Sequence, residues 1–241
     1  MTDLIETHAL ARRYGSTWAL RDCTLSIPAG VRAGLVGPNG AGKTTFLHLI
    51  MGLLEPSAGS IQVLGLSPYR QPQELLPHVG FLAQDRPLYH SFSVQDMLTF
   101  GRKLNPRWDE ERARRRLLSL GIPLNRPTGK LSGGQQAQMA LAMALAKHPR
   151  LLVLDEPVAS LDPLARYAFQ QDLLETAAQD GLTILLSSHL IADLERICDY
   201  LVIVSASRIQ FAGTTRQLLQ MQPLGGAPPQ EVRAGLAAMN G

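Results

Sequence analysis

The sequence predicts an α/β fold in which helices cover both faces of a mostly parallel β-sheet. Short apolar segments of strand length alternate with longer helical segments along much of the chain. Buried strands that are separated by helices are typical of parallel sheets. The apolar run 31–36 also leads directly into a glycine-rich loop and then into a helix candidate, 44–51, a strand–loop–helix order that such sheets use.

The elements of this core follow one another in a regular order. The later strand candidates are 61–64, 79–83, 151–154, 183–186, 200–204 and 209–211. The later helix candidates are 163–178, 191–197 and 215–220. Most strand candidates are short and rich in Val, Leu and Ile, as expected for strands that are buried on both faces.

Two regions interrupt the alternation. Residues 4–27 alternate between apolar and polar positions, with Gly15 at a turn, and predict antiparallel strands added to one edge of the sheet. Residues 93–147 show no convincing strand pattern. The helices predicted there cover 94–104, 109–120 and 134–147. We therefore expect an N-terminal antiparallel β subdomain and an inserted helical subdomain, about residues 86–148.

Length and composition are consistent with one large domain. The chain has 241 residues, of which 45% are hydrophobic, enough for a substantial core. We assign residues 1–222 to the domain, because Gly, Pro, Ala and Gln then dominate and predict a loosely ordered tail over 223–241. Asp3 and Glu6 argue against a signal peptide, and no apolar run approaches the ~20 residues of a membrane span. The sequence therefore predicts a cytoplasmic protein.

Charge and cysteine content exclude several other classes. The net charge of +3 arises from interspersed residues, apart from one basic run, 112–116, which a solvated helix face explains better than nucleic-acid binding. Aromatic residues are few and are not interleaved with basic ones, so no nucleic-acid partner is expected. Cys23 and Cys198 lie far apart without metal-ligand spacing, and we interpret both as buried thiols in a reducing compartment.

The glycine-rich loop after the first core strand predicts a polyphosphate site. Residues 37–44 read Gly-Pro-Asn-Gly-Ala-Gly-Lys-Thr and match the pattern G-x-x-x-x-G-K-[ST]. Glycines let backbone N–H groups turn towards an anion, and the following helix directs its positive end at the same place. Lys43 supplies a charge for the β- and γ-phosphates, and the Thr44 hydroxyl can bind Mg²⁺. An α/β core of the P-loop NTPase type, binding a nucleoside triphosphate, is therefore predicted.

Acidic residues follow the apolar strand candidate 151–154. A buried strand aims Asp155 at the edge of a parallel sheet where ligands collect, and the adjacent Glu156 can orient or deprotonate an attacking water. Considered alone, this pair is as readily an exposed acidic turn, but beside the glycine loop it favours hydrolysis. His189 ends another apolar strand and can bond a γ-phosphate oxygen, although by itself a structural histidine is the better interpretation.

A third motif, Leu-Ser-Gly-Gly-Gln at 131–135, precedes a long apolar helix. Its hydroxyl and exposed N–H groups can bind an anion, although locally an N-cap with a flexible lead-in explains it better. With this motif the sequence resembles the ATP-binding cassette (ABC) ATPase family, whose signature is LSGGQ, located between the phosphate loop and the Asp-Glu strand. The resemblance covers about residues 4–222.

The resemblance implies a role for each matching residue. Tyr14 matches the aromatic that stacks on adenine, with a core or turn tyrosine as the alternative, and Gln84 matches the glutamine that senses Mg²⁺ and water and links to the membrane partner. The implied ATP-binding residues are Tyr14, Gly37, Pro38, Asn39, Gly40, Ala41, Gly42, Lys43, Thr44, Thr45, Ser132, Gly133, Gly134 and Gln135. The implied catalytic residues are Lys43, Gln84, Glu156 and the switch histidine, His189. The implied Mg²⁺ ligands are Thr44, Gln84 and Asp155, and 160–162 matches the D-loop.

The family also implies a second subunit. Two cassettes, identical or paralogous, pair head-to-tail, so that each ATP lies between the phosphate loop of one and the signature of the other. The chain departs from the family in the signature helix, where members commonly carry basic residues. Here residues 136–139 read Gln-Ala-Gln-Met, and no Arg or Lys precedes Lys147. We expect the polar contacts of this helix to differ and the activity to remain.

The resemblance implies an ATPase subunit that powers a membrane transporter from the cytoplasmic face of the membrane. The permease is then a separate integral membrane subunit, and the segment 85–97, with Tyr89, Phe92 and Val94, forms part of the docking surface. The chain looks most like bacterial exporter subunits of the multidrug and antibiotic-resistance type, with an importer as the alternative. Non-transport members acting on nucleic acid or ribosomes usually carry insertions absent from this sequence, and Glu156 opposes a regulatory module without turnover.

Overall fold

The structure, a computed structural model, describes residues 3–189, 194 and 196–220. The strands are β1 (Asp3–Tyr14), β2 (Thr17–Pro28), β3 (Arg32–Val36), β4 (Ala58–Val63), β5 (Val79–Leu82), β6 (Leu151–Leu154), β7 (Thr183–Ser188), β8 (Tyr200–Ser205) and β9 (Arg208–Thr214). The helices are α1 (Lys43–Ile50), α2 (Pro72–Leu75), α3 (Val94–Leu104), α4 (Glu110–Ser119), α5 (Gly133–Leu145), α6 (Pro163–Asp180) and α7 (Thr215–Gln220).

The chain divides into two compact units. The described residues within Met1–Pro72 and Leu185–Gly241 form the first unit, and those of Gln73–Ile184 form the second. The predicted helix 191–197 lies largely outside the described residues, and the predicted tail 223–241 lies wholly outside them. Among the residues that are described, no helix combines the length and the apolar character needed to cross a membrane.

Two kinds of strand pairing occur in the first unit. β3 pairs in parallel with β8, and β8 pairs antiparallel with β9. β1 lies between β2 and β4 in a separate antiparallel sheet, where Ile5 is paired with Ile27 and with Val63. The predicted N-terminal antiparallel β subdomain is thus present. The sequence was wrong in attaching these strands to an edge of the parallel sheet and in placing 61–64 within that sheet. β4 buries Ile61 and Val63 on one face only, as half-buried antiparallel strands do.

The second unit combines a parallel strand pair with a helical core. β5 and β6 pair in parallel from Val79 with Leu151 to Leu82 with Leu154, and every residue of β6 is buried. The three helices predicted between 93 and 147 are present as α3, α4 and α5. Their shared core consists of Val94, Met97, Leu98, Ala113, Leu117, Ile122, Leu131, Met139, Ala142 and Ala146.

The sequence predicted that the basic run on α4 is a solvated face. This prediction is wrong, because two arginines of the run are paired with α6. Arg112 forms an ion pair with Asp180, and Arg116 forms one with Asp172, with side chains only 24% and 15% exposed for the arginines. Burial lowers the pKa of Arg116 and raises that of Asp172, so burial disfavours the charged form of both side chains. These two arginines thus join α4 to α6 within the second unit.

Candidate nucleotide-binding site

The loop between β3 and α1 requires glycine at several positions. A Cβ at Gly37 would lie 2.2 Å from the carbonyl oxygen of Val204, and one at Gly42 would lie 2.4 Å from that of Ala19. Gly40 and Gly42 also have φ angles of 79° and 106°, which favour glycine. Glycine at these positions therefore lets the loop pack closely against neighbouring backbone and form a backbone cradle of the kind that polyphosphate sites use.

Lys43 lies inside this cradle, at the start of α1. Its side chain is buried, and its Nζ donates hydrogen bonds to the carbonyl oxygens of Gly37 at 2.8 Å and Pro38 at 3.3 Å. The N-cap of α1, Gly42, offers no side-chain cap, and its first turn contains no acidic residue. Because glycine has no side chain, Gly42 cannot cap the first amides of α1, and the local charge is positive. This donor set, with the hydroxyls of Thr44 and Thr45, fits a polyphosphate.

Two other residues with predicted roles belong to the first unit. The ring of Tyr14, at the end of β1, is 48% exposed, as an adenine-stacking residue needs, and the Arg12 guanidinium lies 4.9 Å from its centroid. His189 directly follows β7 and is exposed. Their assigned roles stay predictions.

In the second unit, two neighbouring strands carry predicted site residues at their ends: the Mg²⁺ ligand Asp155, the base Glu156 and the glutamine Gln84. Asp155 is buried and extends the pairing of β5 and β6 by one bond, from its N–H to the carbonyl of Leu82 at 2.9 Å. Glu156 has a φ of 44°, a strained conformation for a residue with a side chain. Gln84 follows β5 and is exposed. Because β5 and β6 are adjacent and parallel, these three side chains begin at the same edge.

The signature segment forms the N-terminus of α5. The hydroxyl of Ser132 accepts a hydrogen bond from the N–H of Gln135 at 3.2 Å, and the Gln135 side chain accepts one from the N–H of Ser132 at 3.1 Å. This capping box is the N-cap that the local interpretation favoured. The amides of Gly133 and Gly134 lie in the first turn, where N–H groups have no intrahelical partner. The cap therefore leaves two donors oriented along the helix axis.

Glutamines make the polar contacts of the signature helix. Gln136 donates to the carbonyl oxygens of Thr128 at 3.3 Å and Leu131 at 3.4 Å. Gln138 is buried and hydrogen-bonds Asp172 of α6. The departure from the basic pattern of the family thus leaves α5 anchored through amide groups.

The residues present fit Mg²⁺ as well as phosphate. Among the residues that the structure describes, no three His, Cys, Asp or Glu side chains cluster as a self-sufficient metal site. Mg²⁺ is usually held by one or two carboxylates together with waters and substrate phosphates. Each predicted ligand has an oxygen of the kind that Mg²⁺ binds: the hydroxyl of Thr44 in the first unit, and the amide of Gln84 and the carboxylate of Asp155 in the second.

A glycine cradle before a helix, a buried lysine inside it and acidic residues after a buried strand are the features of a P-loop nucleotide-binding protein. The family model described as ABC transporter matches residues 20–159. The chain belongs to the ABC transporter family, as an ATP-binding subunit that hydrolyses ATP. The predicted fold class, family and enzyme activity are therefore confirmed.

Relatives of known name match nearly the whole chain. The Nod factor export ATP-binding protein I of Rhizobium johnstonii is 35% identical over 236 residues, which cover 96% of this chain and 75% of that protein. The sulfate/thiosulfate import ATP-binding protein CysA 2 of Chromobacterium violaceum is 36% identical over 224 residues, which cover 90% of this chain and 60% of that protein. Proteins named for export and for import are thus both similar to this chain.

Solved structures have the same fold. One described as the ATP binding subunit of an ABC transporter superposes with a TM-score of 0.83 and 29% identity, covering 99% of this chain and all of the other. Another, cbiO1 from Clostridium perfringens, described as part of the ABC transporter complex cbiONQ, has a TM-score of 0.79 and 26% identity, with coverage of 99% and 100%. ABC ATP-binding subunits work with membrane permease components.

Proposed function

We propose that this subunit powers export by hydrolysing ATP on the cytoplasmic face of the membrane, bound to a separate integral membrane permease. The glycine cradle with Lys43 buried inside it carries the nucleotide-binding part of the proposal. The export direction is supported by the similarity to the Nod factor export protein, which spans 96% of this chain. Import is the second candidate, favoured by the similarity to CysA 2.

The proposed reaction is attack of water on the γ-phosphorus of ATP. Glu156 accepts a proton from the water, an oxygen–phosphorus bond forms, and the bond from the γ-phosphorus to the β–γ bridging oxygen breaks to release ADP and phosphate. Lys43 and the loop amides stabilise charge on the phosphates, and His189 bonds a γ-phosphate oxygen. Mg²⁺, when held by Thr44, Gln84 and Asp155, supplies further positive charge at these oxygens.

The proposed site is completed by a second ABC ATPase subunit, identical or paralogous. The first-turn amides of Gly133 and Gly134 and the cap formed by Ser132 and Gln135 offer the donors that would contact the γ-phosphate bound to the other subunit. ATP would then favour the closed dimer because it contacts both subunits, and hydrolysis would remove that preference.

An aromatic cluster supports the proposed docking of the permease on the segment 85–97. The ring of Tyr89 lies 5.2 Å from that of Phe92 and 5.4 Å from that of Phe100, and Tyr89 is 55% exposed. Exposed aromatic side chains are common anchors of protein interfaces. Val94, which the sequence placed on this surface, is fully buried in the helical core and does not belong to it.

We expect the Tyr89→Ala variant to recover less permease when the tagged chain is purified from detergent-solubilised membranes. The reason is the loss of an exposed aromatic anchor, and the co-purifying integral membrane protein is identified and quantified by mass spectrometry. Tyr69→Ala is the matched control, because Tyr69 is 45% exposed and lies in the first unit. Equal recovery with both variants would contradict the docking surface, and reproducible recovery of ribosomes or nucleic acid would favour a non-transport role.

The direction of transport is tested in inverted membrane vesicles that contain the complex. ATP added to the medium reaches the subunit there, so an exporter accumulates its cargo inside the vesicles. We expect compounds from an added cell extract to accumulate with ATP in wild-type vesicles and not in vesicles of the Glu156→Gln variant, as measured by mass spectrometry. ATP-dependent release of preloaded extract compounds, without accumulation, would indicate import.

A further inference from the structure

Arg86 lies in the predicted docking segment 85–97, but the sequence assigns it no role of its own. Its guanidinium joins three segments of the second unit. Nη1 donates to the carbonyl oxygen of Gly133 at 3.3 Å. Nη2 donates to the carbonyl oxygen of Pro157 at 3.1 Å and to the hydroxyl of Ser160 at 2.9 Å. The side chain thereby links the turn after β5 to the signature, to the loop after Glu156 and to the D-loop match.

The backbone around Arg86 is also constrained. Its N–H donates to the carbonyl of Ala83 at 3.1 Å, and its own carbonyl accepts from the N–H of Leu88 at 2.7 Å. The φ angle of Arg86 is 44°, the same value as that of Glu156. Such conformations cost free energy in residues with a side chain and persist where surrounding contacts hold them. The bond from Arg86 to the Pro157 carbonyl therefore joins one strained residue to the neighbour of another, Glu156.

The acceptors of Arg86 explain why an arginine is needed here. All three are neutral oxygens, so the attraction between opposite charges contributes little, while the planar fork of guanidinium N–H groups reaches several acceptors at once. Burial lowers the pKa of Arg86, because its charge is partly removed from water. A lysine in its place offers one compact ammonium and cannot bridge the same three segments.

We propose that Arg86 is a positioning residue for ATP hydrolysis, holding the loop that carries Glu156 in register with the turn that carries Gln84. Pro157 directly follows Glu156, so a bond to the Pro157 carbonyl restrains the peptide that orients the glutamate. Displacement of the turn after β5 by the permease would then shift Glu156 through Arg86. This inference rests on the proposed function, in which Glu156 is the general base and the segment 85–97 contacts the permease.

The test compares Arg86→Ala and Arg86→Lys with the wild-type full chain. We expect kcat for ATP hydrolysis to fall roughly tenfold in Arg86→Ala and less in Arg86→Lys, as for loss of charged hydrogen bonds that align a catalytic group. The Kd of a fluorescent ATP analogue should change by less than about twofold, because Arg86 has no part in the phosphate cradle. Arg102→Ala is the matched control, since Arg102 is 61% exposed and contacts Glu110 in the same unit.

A double-mutant cycle tests the bond to Ser160. Ser160→Ala removes one acceptor of Arg86, and we expect the Arg86→Ala/Ser160→Ala double variant to be no slower than Arg86→Ala alone. Additive losses of kcat would overturn the link between the two residues. The cycle is read from kcat, with thermal unfolding recorded to confirm that each variant is folded.

Two results would overturn the inference. The first is a kcat of Arg86→Ala equal to that of Arg102→Ala. The second is a fall of kcat together with the affinity for the ATP analogue and the thermal midpoint in both Arg86 variants, which indicates a purely structural role. Because Arg86→Lys keeps the positive charge and most of the side-chain volume, it keeps the test decisive when Arg86→Ala fails to fold. Absence of hydrolysis in the wild-type protein would instead count against the proposed function.

Discussion

Replacing Glu156 with glutamine will lower the steady-state ATPase rate by about 10²–10⁴-fold, the range expected for removal of a general base, and leave ATP binding intact. The amide has nearly the same size and can still hydrogen-bond a water, but it cannot accept the proton. Asp155 anchors the end of β6 through its bond to Leu82, so the loop is expected to keep its conformation. Phosphate release measures the rate, and a fluorescent ATP analogue measures binding.

Glu110→Gln is the matched control for this substitution. Glu110 lies on α4, in the second unit as well, and pairs with Arg102 of α3 at 3.4 Å. We expect it to hydrolyse ATP at the wild-type rate. Unchanged turnover in Glu156→Gln would contradict the assignment of the base.

The same variant tests the head-to-tail site. With hydrolysis blocked, the ATP-bound closed dimer should accumulate and elute ahead of the nucleotide-free protein in size-exclusion chromatography. A strictly monomeric Glu156→Gln protein at high ATP and protein concentration, alone and with its natural partner, would refute a pocket shared between two subunits.

The phosphate loop and the central strands can be predicted because neighbouring residues in the sequence determine their structure. A close-fitting glycine loop needs glycine at Gly37 and Gly42, and the sequence shows this directly. β6 is buried at every residue, which matches its unbroken apolar run, 151–154. The signature helix was likewise predicted near its observed start, since Ser132 and Gln135 cap it through residues three apart.

Features that depend on distant residues could not be predicted in the same way. The pairing of β4 with β1 joins Ile61 to Thr7, far apart in the chain, and short apolar runs give little information about which partner they take. The pairing of Arg116 with Asp172 and the bonds of Arg86 likewise join positions that are more than forty residues apart. No periodicity reveals such contacts, so charged residues that pack inside a unit resemble solvated ones in the sequence.

Replacing Lys43 with alanine will weaken ATP binding by about 10- to 100-fold, the effect of losing one to two charged hydrogen bonds to phosphate. The ammonium is already held in the cradle by the carbonyls of Gly37 and Pro38, so it meets the phosphates without a large loss of side-chain freedom. Hydrolysis at subsaturating ATP should fall by at least the same factor. Equilibrium titration with a fluorescent ATP analogue, and competition by ATP, measure the change.

Lys147→Ala is a closely matched control for this effect. Lys147 is partly buried and donates to a strand carbonyl, that of Val79 at 2.9 Å, and burial lowers its pKa. Its removal should lower the thermal midpoint, because the carbonyl loses a buried partner, and leave nucleotide affinity unchanged. Equal loss of affinity in the two variants would mean that Lys43 acts through stability rather than through the phosphates. Weaker binding in Lys43→Ala, with wild-type affinity in Lys147→Ala, is the result that a phosphate contact requires.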